Sequence, residues 1–162
     1  MLDKPCVLYR NQQLFGSSRY IDRARRNLYP RVTSRFFMIV GTGIDIVEVS
    51  RIAAAVERFG ERFLNRVFTS SEIRYCRSKQ NAMERFAARF AAKEAGFKAF
   101  GTGWRHGVTW KDIEVGREPN GRPTVCYSGK AEELASKLGV RQASLSLSHA
   151  ANQAIAQVIL ED

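Results

Sequence analysis

The sequence predicts a single domain that mixes helices with strands. Three observations support this fold class: a strand pattern rich in β-branched residues at 38–49, a long helical pattern that ends at Gly101, and two short strand patterns joined by Asn120 and Gly121, a strong hairpin signal. With 162 residues, of which 44% are hydrophobic, the chain can bury one core and is too short to promise two.

Residues 1–37 differ from the rest of the chain. They carry a net charge of +6 out of the total of +10, and they lack a sustained hydrophobic period. We therefore predict a weakly ordered basic N-terminal extension over 1–37, followed by the folded domain over 38–162. Three origins of the extension stay open: an in-frame upstream start, an Arg-rich transit peptide, or an arm that binds nucleic acid or a protein partner.

Composition also restricts the class of protein. No run approaches the 18 or more apolar residues of a membrane span, and no secretory signal is recognisable, so we expect a soluble, cytoplasmic protein. Three cysteines, far apart and odd in number, argue against a disulfide framework or a CxxC zinc site and are expected to be reduced. The basic charge favours an anionic partner, which can be nucleic acid, a phosphorylated ligand or an acidic protein.

Between the first strand and the long helix, the pattern predicts two shorter helices. One begins at Ser50 and stops at Gly60, and the other is capped by Thr69 with Glu72 three residues later. The outer face of the first helix is basic, with Arg51 and Arg58 on that face and Arg62 just beyond the glycine; a plain solvated face is the alternative. After the hairpin, the pattern predicts a surface helix over 130–138 and strands over 144–149 and 154–160.

A carboxylate interrupts the long helix. Its apolar side is formed by Met83, Phe86, Ala87, Phe90 and Phe97, and Glu94 projects from the middle of that side. A buried carboxylate is costly unless it is paired, neutralised or bound to a metal. From this helix alone, an ordinary i,i+4 pair with Lys98 is the simplest interpretation.

Two further polar residues stand in apolar strands. Asp45 lies between Ile44 and Ile46, where it is either at a strand end facing water or retained for a function. His149 alternates with leucines on one strand face, and a hydrogen-bonded structural role is the plainer interpretation. The glycines of Gly101-Thr102-Gly103 suit a helix C-cap and can also let backbone amides approach a ligand.

Taken together, three segments resemble the holo-[acyl-carrier-protein] synthases, the small bacterial type of 4′-phosphopantetheinyl transferase. They are GIDIVEVSRI at 43–52, RFAAKEAGFKAFGTG at 89–103, and GRPTV with SLSLSHA between 121 and 150. The resemblance covers residue 38 to the end, and residues 1–37 have no counterpart in it. It implies an α+β fold with one long helix on a curved antiparallel sheet, and a homotrimer with active sites at the subunit interfaces.

The resemblance also implies an activity. Such an enzyme moves 4′-phosphopantetheine from coenzyme A to a serine of apo acyl carrier protein, releases adenosine 3′,5′-bisphosphate, supports fatty acid biosynthesis and uses Mg²⁺. On that pattern Asp45 and Glu94 are the metal ligands, and Lys98 stabilises or protonates the departing bisphosphate. The general base stays open among Glu94, Asp45 and a metal-bound water.

The remaining implied roles concern the two substrates. His149 matches a contact to the 3′-phosphate of coenzyme A from a neighbouring subunit, and Gly103 falls in the glycine segment near the cofactor. Arg51, Arg58 and Arg62 match positions that dock the acidic carrier protein. The alternative class is a basic nucleic-acid-binding module; it is weakened because the domain itself carries only +4 of the charge and has no recognisable nucleic-acid-binding motif.

Overall fold

The chain folds as the α+β protein that the sequence predicts. The structure is a computed structural model that describes residues 7–8, 38–101 and 107–162. Its elements are β1 (Val7–Leu8), β2 (Ile39–Glu48), α1 (Val49–Val67), α2 (Ser70–Arg77), α3 (Ala82–Ala99), a 3-10 helix (Trp110–Asp112), β3 (Ile113–Arg117), β4 (Pro123–Tyr127), α4 (Gly129–Lys137), β5 (Gln142–Ala150) and β6 (Gln153–Glu161).

Two three-stranded antiparallel sheets flank the long helix α3. One has the order β2-β6-β5 and the other the order β1-β4-β3. In the first sheet, Asp45 pairs with Ala156, which in turn pairs with Leu147. Because directly paired residues share a sheet face, the side chains of this row all lie on the side that α3 covers.

Most predictions about residues 1–37 fall outside the described residues. Only Val7 and Leu8 of this segment are described, and they pair with Tyr127 and Cys126 of β4. The weakly ordered extension therefore remains a prediction. Gly103 also lies outside the described residues.

Helix α3 is buried nearly all round. The predicted apolar side is correct for Phe86, Ala87 and Phe97, but burial extends to Arg89 and Lys93 on other sides of the helix. The prediction of a single buried stripe is therefore too narrow. The cause is the second sheet, which covers the side of α3 that the pattern assigns to solvent.

Strand β2 approaches the backbone of α3 unusually closely because two of its residues are glycines. An added Cβ at Gly43 would lie 1.9 Å from the Ala95 carbonyl oxygen, and one at Gly41 would lie 2.1 Å from the Ala99 carbonyl oxygen. Any side chain at either position would separate the strand from the helix. The glycines of the GTGID segment therefore bring Asp45 against the last turns of α3.

The first helix departs from its prediction at both ends. It begins at Val49 instead of Ser50, and the amide of Ser50 donates to the Asn152 Oδ1 atom at 3.0 Å. Gly60 does not end the helix; it kinks it with φ 52° and ψ −135°, and helical structure resumes to Val67. The capping box of Thr69 and Glu72 is confirmed at the start of α2.

The cysteines follow their prediction in part. Cys76 is a free, buried thiol, and burial raises its pKa to about 11. Cys126 is disulfide-bonded, so the expectation that all three cysteines are reduced is wrong for this one. Within the described ranges, no helix combines the length and the apolar character that crossing a bilayer requires.

Candidate active site

Asp45 and Lys98 form the centre of the candidate site. Asp45 lies within β2 with 16% of its side chain exposed, and Lys98 lies in the last turn of α3. The Lys98 Nζ atom donates to Asp45 Oδ1 at 2.8 Å and to the Ile44 carbonyl oxygen at 3.0 Å. The ion pair therefore joins the strand to the helix, which the close approach at Gly43 makes possible.

Glu94 is the second carboxylate of the site. It lies one helical turn before Lys98 and is partly buried. Burial, and secondly the negative charge of Asp45, raises the pKa of Glu94, whereas Lys98 and Arg51 act in the opposite direction. The i,i+4 pair suggested by the helix pattern does not form, since the only acidic partner of Lys98 among the described residues is Asp45.

Two carboxylates in mutual repulsion form a donor set that a divalent cation fits. Burial is the larger cause of the raised pKa of Glu94 and the charge of Asp45 the second, and a cation held by both carboxylates would offset both. No third Asp, Glu, His or Cys joins them within the described residues. Two carboxylates match the donors that Mg²⁺ takes from proteins, since it rarely has a full protein cage and completes its shell with water and phosphate oxygens.

His149 lies apart from this cluster in the same chain. Its side chain is half exposed, and its Nε2 atom is 4.0 Å from Glu84 Oε2, in the first turn of α3. Glu84 precedes Glu94 by ten residues, which corresponds to about 15 Å along a helix axis. The structure therefore brings Asp45, Glu94 and Lys98 together but leaves His149 at the other end of α3.

A cationic pocket surrounds His149. Arg85, Arg89 and Arg117 line it with His149, and the floor includes Tyr75. The Arg89 guanidinium stacks 4.1 Å from the centre of the Tyr75 ring, and Arg117 Nη1 donates to the Tyr75 hydroxyl at 3.0 Å. The Nε atoms of Arg85 and Arg89 are buried without a hydrogen-bond acceptor among the described residues. The pocket thus concentrates positive charge beside His149, which suits an anion.

Sequence reasoning missed these three arginines. Arg85 and Arg89 are four residues apart on α3, so both project toward the same neighbours, on the side of the helix that the pattern assigns to solvent. A charged residue on that side is expected at the surface, so the signal that identified Glu94 could not have found them.

The basic face of α1 is exposed as predicted. Arg51, Arg58 and Arg62 all lie at the surface, and the Arg58 guanidinium is 5.0 Å from the centre of the Phe59 ring. The charge of Arg51 also opposes the rise in the pKa of Glu94 that burial and Asp45 cause. One end of this face therefore adjoins the carboxylate cluster.

Comparison with known proteins gives consistent matches. The family model described as "4'-phosphopantetheinyl transferase superfamily" matches residues 41–158. A holo-[acyl-carrier-protein] synthase of Koribacter versatilis is 66% identical over 125 residues, covering 77% of this chain and 100% of the relative. The one from Solibacter usitatus is 54% identical with the same coverage.

Solved structures agree in fold. The holo-[acyl-carrier-protein] synthase of Neisseria meningitidis has a TM-score of 0.72 at 34% identity, covering 77% of this chain and 100% of that one. The Helicobacter pylori enzyme in complex with coenzyme A has a TM-score of 0.66 at 35% identity, covering 74% of this chain and 98% of that one.

Proposed function

From the premise that this chain belongs to the 4′-phosphopantetheinyl transferase superfamily, as a holo-[acyl-carrier-protein] synthase, we propose a magnesium-dependent transferase whose site is shared between subunits. It transfers 4′-phosphopantetheine from coenzyme A to a serine of apo acyl carrier protein and releases adenosine 3′,5′-bisphosphate. The Asp45, Glu94 and Lys98 cluster is the observation that carries the proposal. The reaction is proposed to run in the cytoplasm and to support fatty acid biosynthesis.

Asp45 and Glu94 would hold the metal. A bound Mg²⁺ supplies charge neutralisation on the diphosphate of coenzyme A and orients it. The two carboxylates would come from different elements, β2 and α3, which the glycines of β2 allow to approach closely. In the transfer, the bond from the serine oxygen to phosphorus forms as the bond from phosphorus to the bisphosphate oxygen breaks. The serine proton leaves to a base, for which Glu94, Asp45 and a water remain candidates.

Lys98 is proposed to act on the leaving group. About half of its side chain is exposed, so its ammonium can turn from Asp45 toward an anion bound beside the cluster. There it would stabilise or protonate the departing bisphosphate oxygen. The pair with Asp45 and the contact to phosphate are alternative positions of one flexible side chain.

His149 and the cationic pocket are proposed to bind the 3′-phosphate of coenzyme A. Three guanidinium groups and an imidazole suit a dianion, and two of the guanidinium groups carry buried donors without acceptors in the described residues. Because the pocket lies toward the opposite end of α3 from Asp45, we propose that one coenzyme A is held by the carboxylates of one subunit and the pocket of the next.

An exposed apolar sheet face supports the proposed homotrimer. Ile44 and Ile46 of β2 are 60% and 54% exposed, and Ile155 of β6 is 37% exposed on the same side, away from α3. Such a row of isoleucines on a sheet is unusual for a monomer and suits contact with another copy of the chain.

The basic face of α1 is proposed to dock the carrier protein. Arg51, Arg58 and Arg62 are exposed and carry no ion pair among the described residues, so they are available to an acidic partner. Arg51 connects this face to the carboxylates, where the serine must arrive. The alternative of a nucleic-acid-binding module is not supported, because the transferase family model matches most of the domain.

Mass spectrometry tests the reaction directly. Apo acyl carrier protein, coenzyme A, Mg²⁺ and the enzyme should give a carrier protein heavier by one phosphopantetheine, and a chelator should abolish the gain. An unchanged mass at high enzyme concentration would refute the transferase assignment.

Substitution of Asp45 tests the metal assignment. Asp45→Asn should slow transfer by orders of magnitude at limiting Mg²⁺, because one of two charged ligands is lost. Glu48→Gln, an exposed acid on the same strand, is the matched control and should retain the wild-type rate. A wild-type rate in Asp45→Asn would contradict the metal role.

A further inference from the structure

A fully buried ion pair lies behind the candidate site. Lys93 Nζ is 2.8 Å from Glu72 Oε2, and both side chains have 0% exposure. Burial lowers the pKa of Lys93, and the charge of Glu72 opposes that change. A pair of buried charges adds little net stability compared with apolar residues of the same shape, so its presence calls for another explanation.

The Glu72 carboxylate joins three elements. Its Oε2 atom accepts from the Thr69 amide at 2.8 Å at the start of α2, and its Oε1 atom accepts from the Val115 amide at 2.9 Å in β3. With Lys93 as the third partner, the carboxylate ties α2 and β3 to α3.

Lys93 adds a fourth connection. Besides Glu72, its ammonium donates to the Trp110 carbonyl oxygen at 2.9 Å. The Trp110 ring packs against α3 on both sides of Lys93, 4.8 Å from the Phe90 ring and 5.2 Å from the Phe97 ring. Lys93 is therefore bonded directly to α2 and to the 3-10 helix, and through the Glu72 carboxylate it is also connected to β3.

We propose that Lys93 and Glu72 are a positioning pair that fixes the rotation of α3 and thereby aims the Glu94 carboxylate at Asp45. This inference rests on the proposed function. Lys93 and Glu94 are consecutive, so their side chains leave the helix about 100° apart, one toward α2 and β3 and the other toward β2. An anchor at 93 controls the direction of 94 without touching substrate or metal.

The helix geometry makes rotation costly for the site. A carboxylate about 6 Å from the helix axis moves by about 1 Å when the helix turns by about 10°. Alanine side chains offer little resistance to rotation of a helix, because they are small and make no directional bonds. Much of the buried surface of α3 consists of alanines, including Ala87, Ala91 and Ala95. The ion pair supplies the directionality that the alanines lack.

The test separates positioning from stability. Lys93→Met keeps the length of the side chain and removes the ammonium. At a temperature where the variant is fully folded by circular dichroism, we expect kcat to fall by roughly 100-fold while the KM for carrier protein stays unchanged, since a displacement of about 1 Å at the reacting groups costs about that factor. The affinity for Mn²⁺ in the absence of substrates, measured by electron paramagnetic resonance, should be severalfold weaker than in the wild type.

Two further variants distinguish a positioning role of Lys93 from a contribution to stability alone. Lys93→Met combined with Glu72→Gln removes the uncompensated buried charge, so it should fold more stably than Lys93→Met but recover neither kcat nor Mn²⁺ affinity. Val140→Ala, a buried substitution in the connection between α4 and β5, is the control: it should lower the melting temperature with kcat and Mn²⁺ affinity unchanged.

Wild-type kcat and Mn²⁺ affinity in folded Lys93→Met, or full recovery of both in the double variant, would overturn the positioning role. If the wild-type protein binds Mn²⁺ but transfers no phosphopantetheine, the proposed function fails instead, and the Mn²⁺ measurements still decide whether Lys93 aims Glu94.

Discussion

Replacing Gly43 with alanine introduces a methyl group into the contact between β2 and α3. The added Cβ would lie 1.9 Å from the Ala95 carbonyl oxygen and 2.6 Å from the Ala99 amide nitrogen, both of them backbone atoms that cannot turn aside. Ordinary contact begins at 3.4 Å, so the strand and the helix must separate by about 1.5 Å. The carboxylates of Asp45 and Glu94 sit on opposite sides of this contact and would move apart with it.

Two effects of different size follow. Overpacking of this kind costs typically about 1–3 kcal/mol in the free energy of unfolding, and occasionally more. A displacement of about 1 Å between reacting groups costs about 100-fold in rate. We therefore expect Gly43→Ala to fold less stably and to transfer phosphopantetheine at least about 100-fold more slowly per folded molecule.

Gly96→Ala is the matched control. Gly96 lies on α3, the helix that Gly43 contacts, but it faces β3. Its added Cβ would lie 3.0 Å from the Cδ1 atom of the flexible Ile113 side chain. Removing a glycine from a helix interior gains roughly 1 kcal/mol, which offsets the tight contact. Steady-state kinetics and urea unfolding of both variants are the assay. Equal kcat in Gly43→Ala and Gly96→Ala would refute the idea that the glycine sets the distance between the two carboxylates.

Three other predictions address charge and burial. Burial and the charge of Asp45 raise the pKa of Glu94, so the stability that its protonated form provides is present below the ordinary pKa and is lost as pH rises through the raised one. Glu94→Gln should therefore unfold at a higher urea concentration than wild type at pH 7 in chelator, while losing transferase activity. Equal or lower stability would contradict this. Arg51→Glu should raise the KM for carrier protein and leave the KM for coenzyme A unchanged. The exposed Arg141→Glu is the control and should alter neither constant. A parallel rise in both constants in Arg51→Glu would exclude a docking role. Cys76, whose pKa burial raises to about 11, should resist iodoacetamide at pH 8 until urea unfolds the protein, as followed by peptide mapping, and labelling of the native chain would show that the thiol is accessible.

The helices and strands were predicted well because their patterns depend on residues that are close together in the sequence. The hairpin at Asn120 and Gly121 joins β3 to β4, and the strands and helix that follow lie within about two residues of their predicted bounds. Asp45 and Glu94 were identifiable because each carboxylate interrupts an apolar element, which is a property of the sequence alone.

Tertiary contacts account for what the patterns missed. The partner of Lys98 is Asp45, 53 residues away, so a helix pattern could offer only Glu94. Lys93 was invisible because lysine normally marks a solvated position, and only the second sheet turns that side of α3 into core. Glu72 was predicted as a capping residue, which is correct, but its buried partner on α3 lies beyond the range of a capping motif.

The distance between His149 and the carboxylates along α3 has a consequence for mixtures of defective chains. If each coenzyme A lies between two subunits, Asp45→Asn and His149→Ala damage different halves of the same site. When the two inactive proteins are unfolded together and reassembled in equal amounts, about a quarter of the sites should join one intact half from each chain. Partial activity would then return from two dead proteins, as in complementation between alleles.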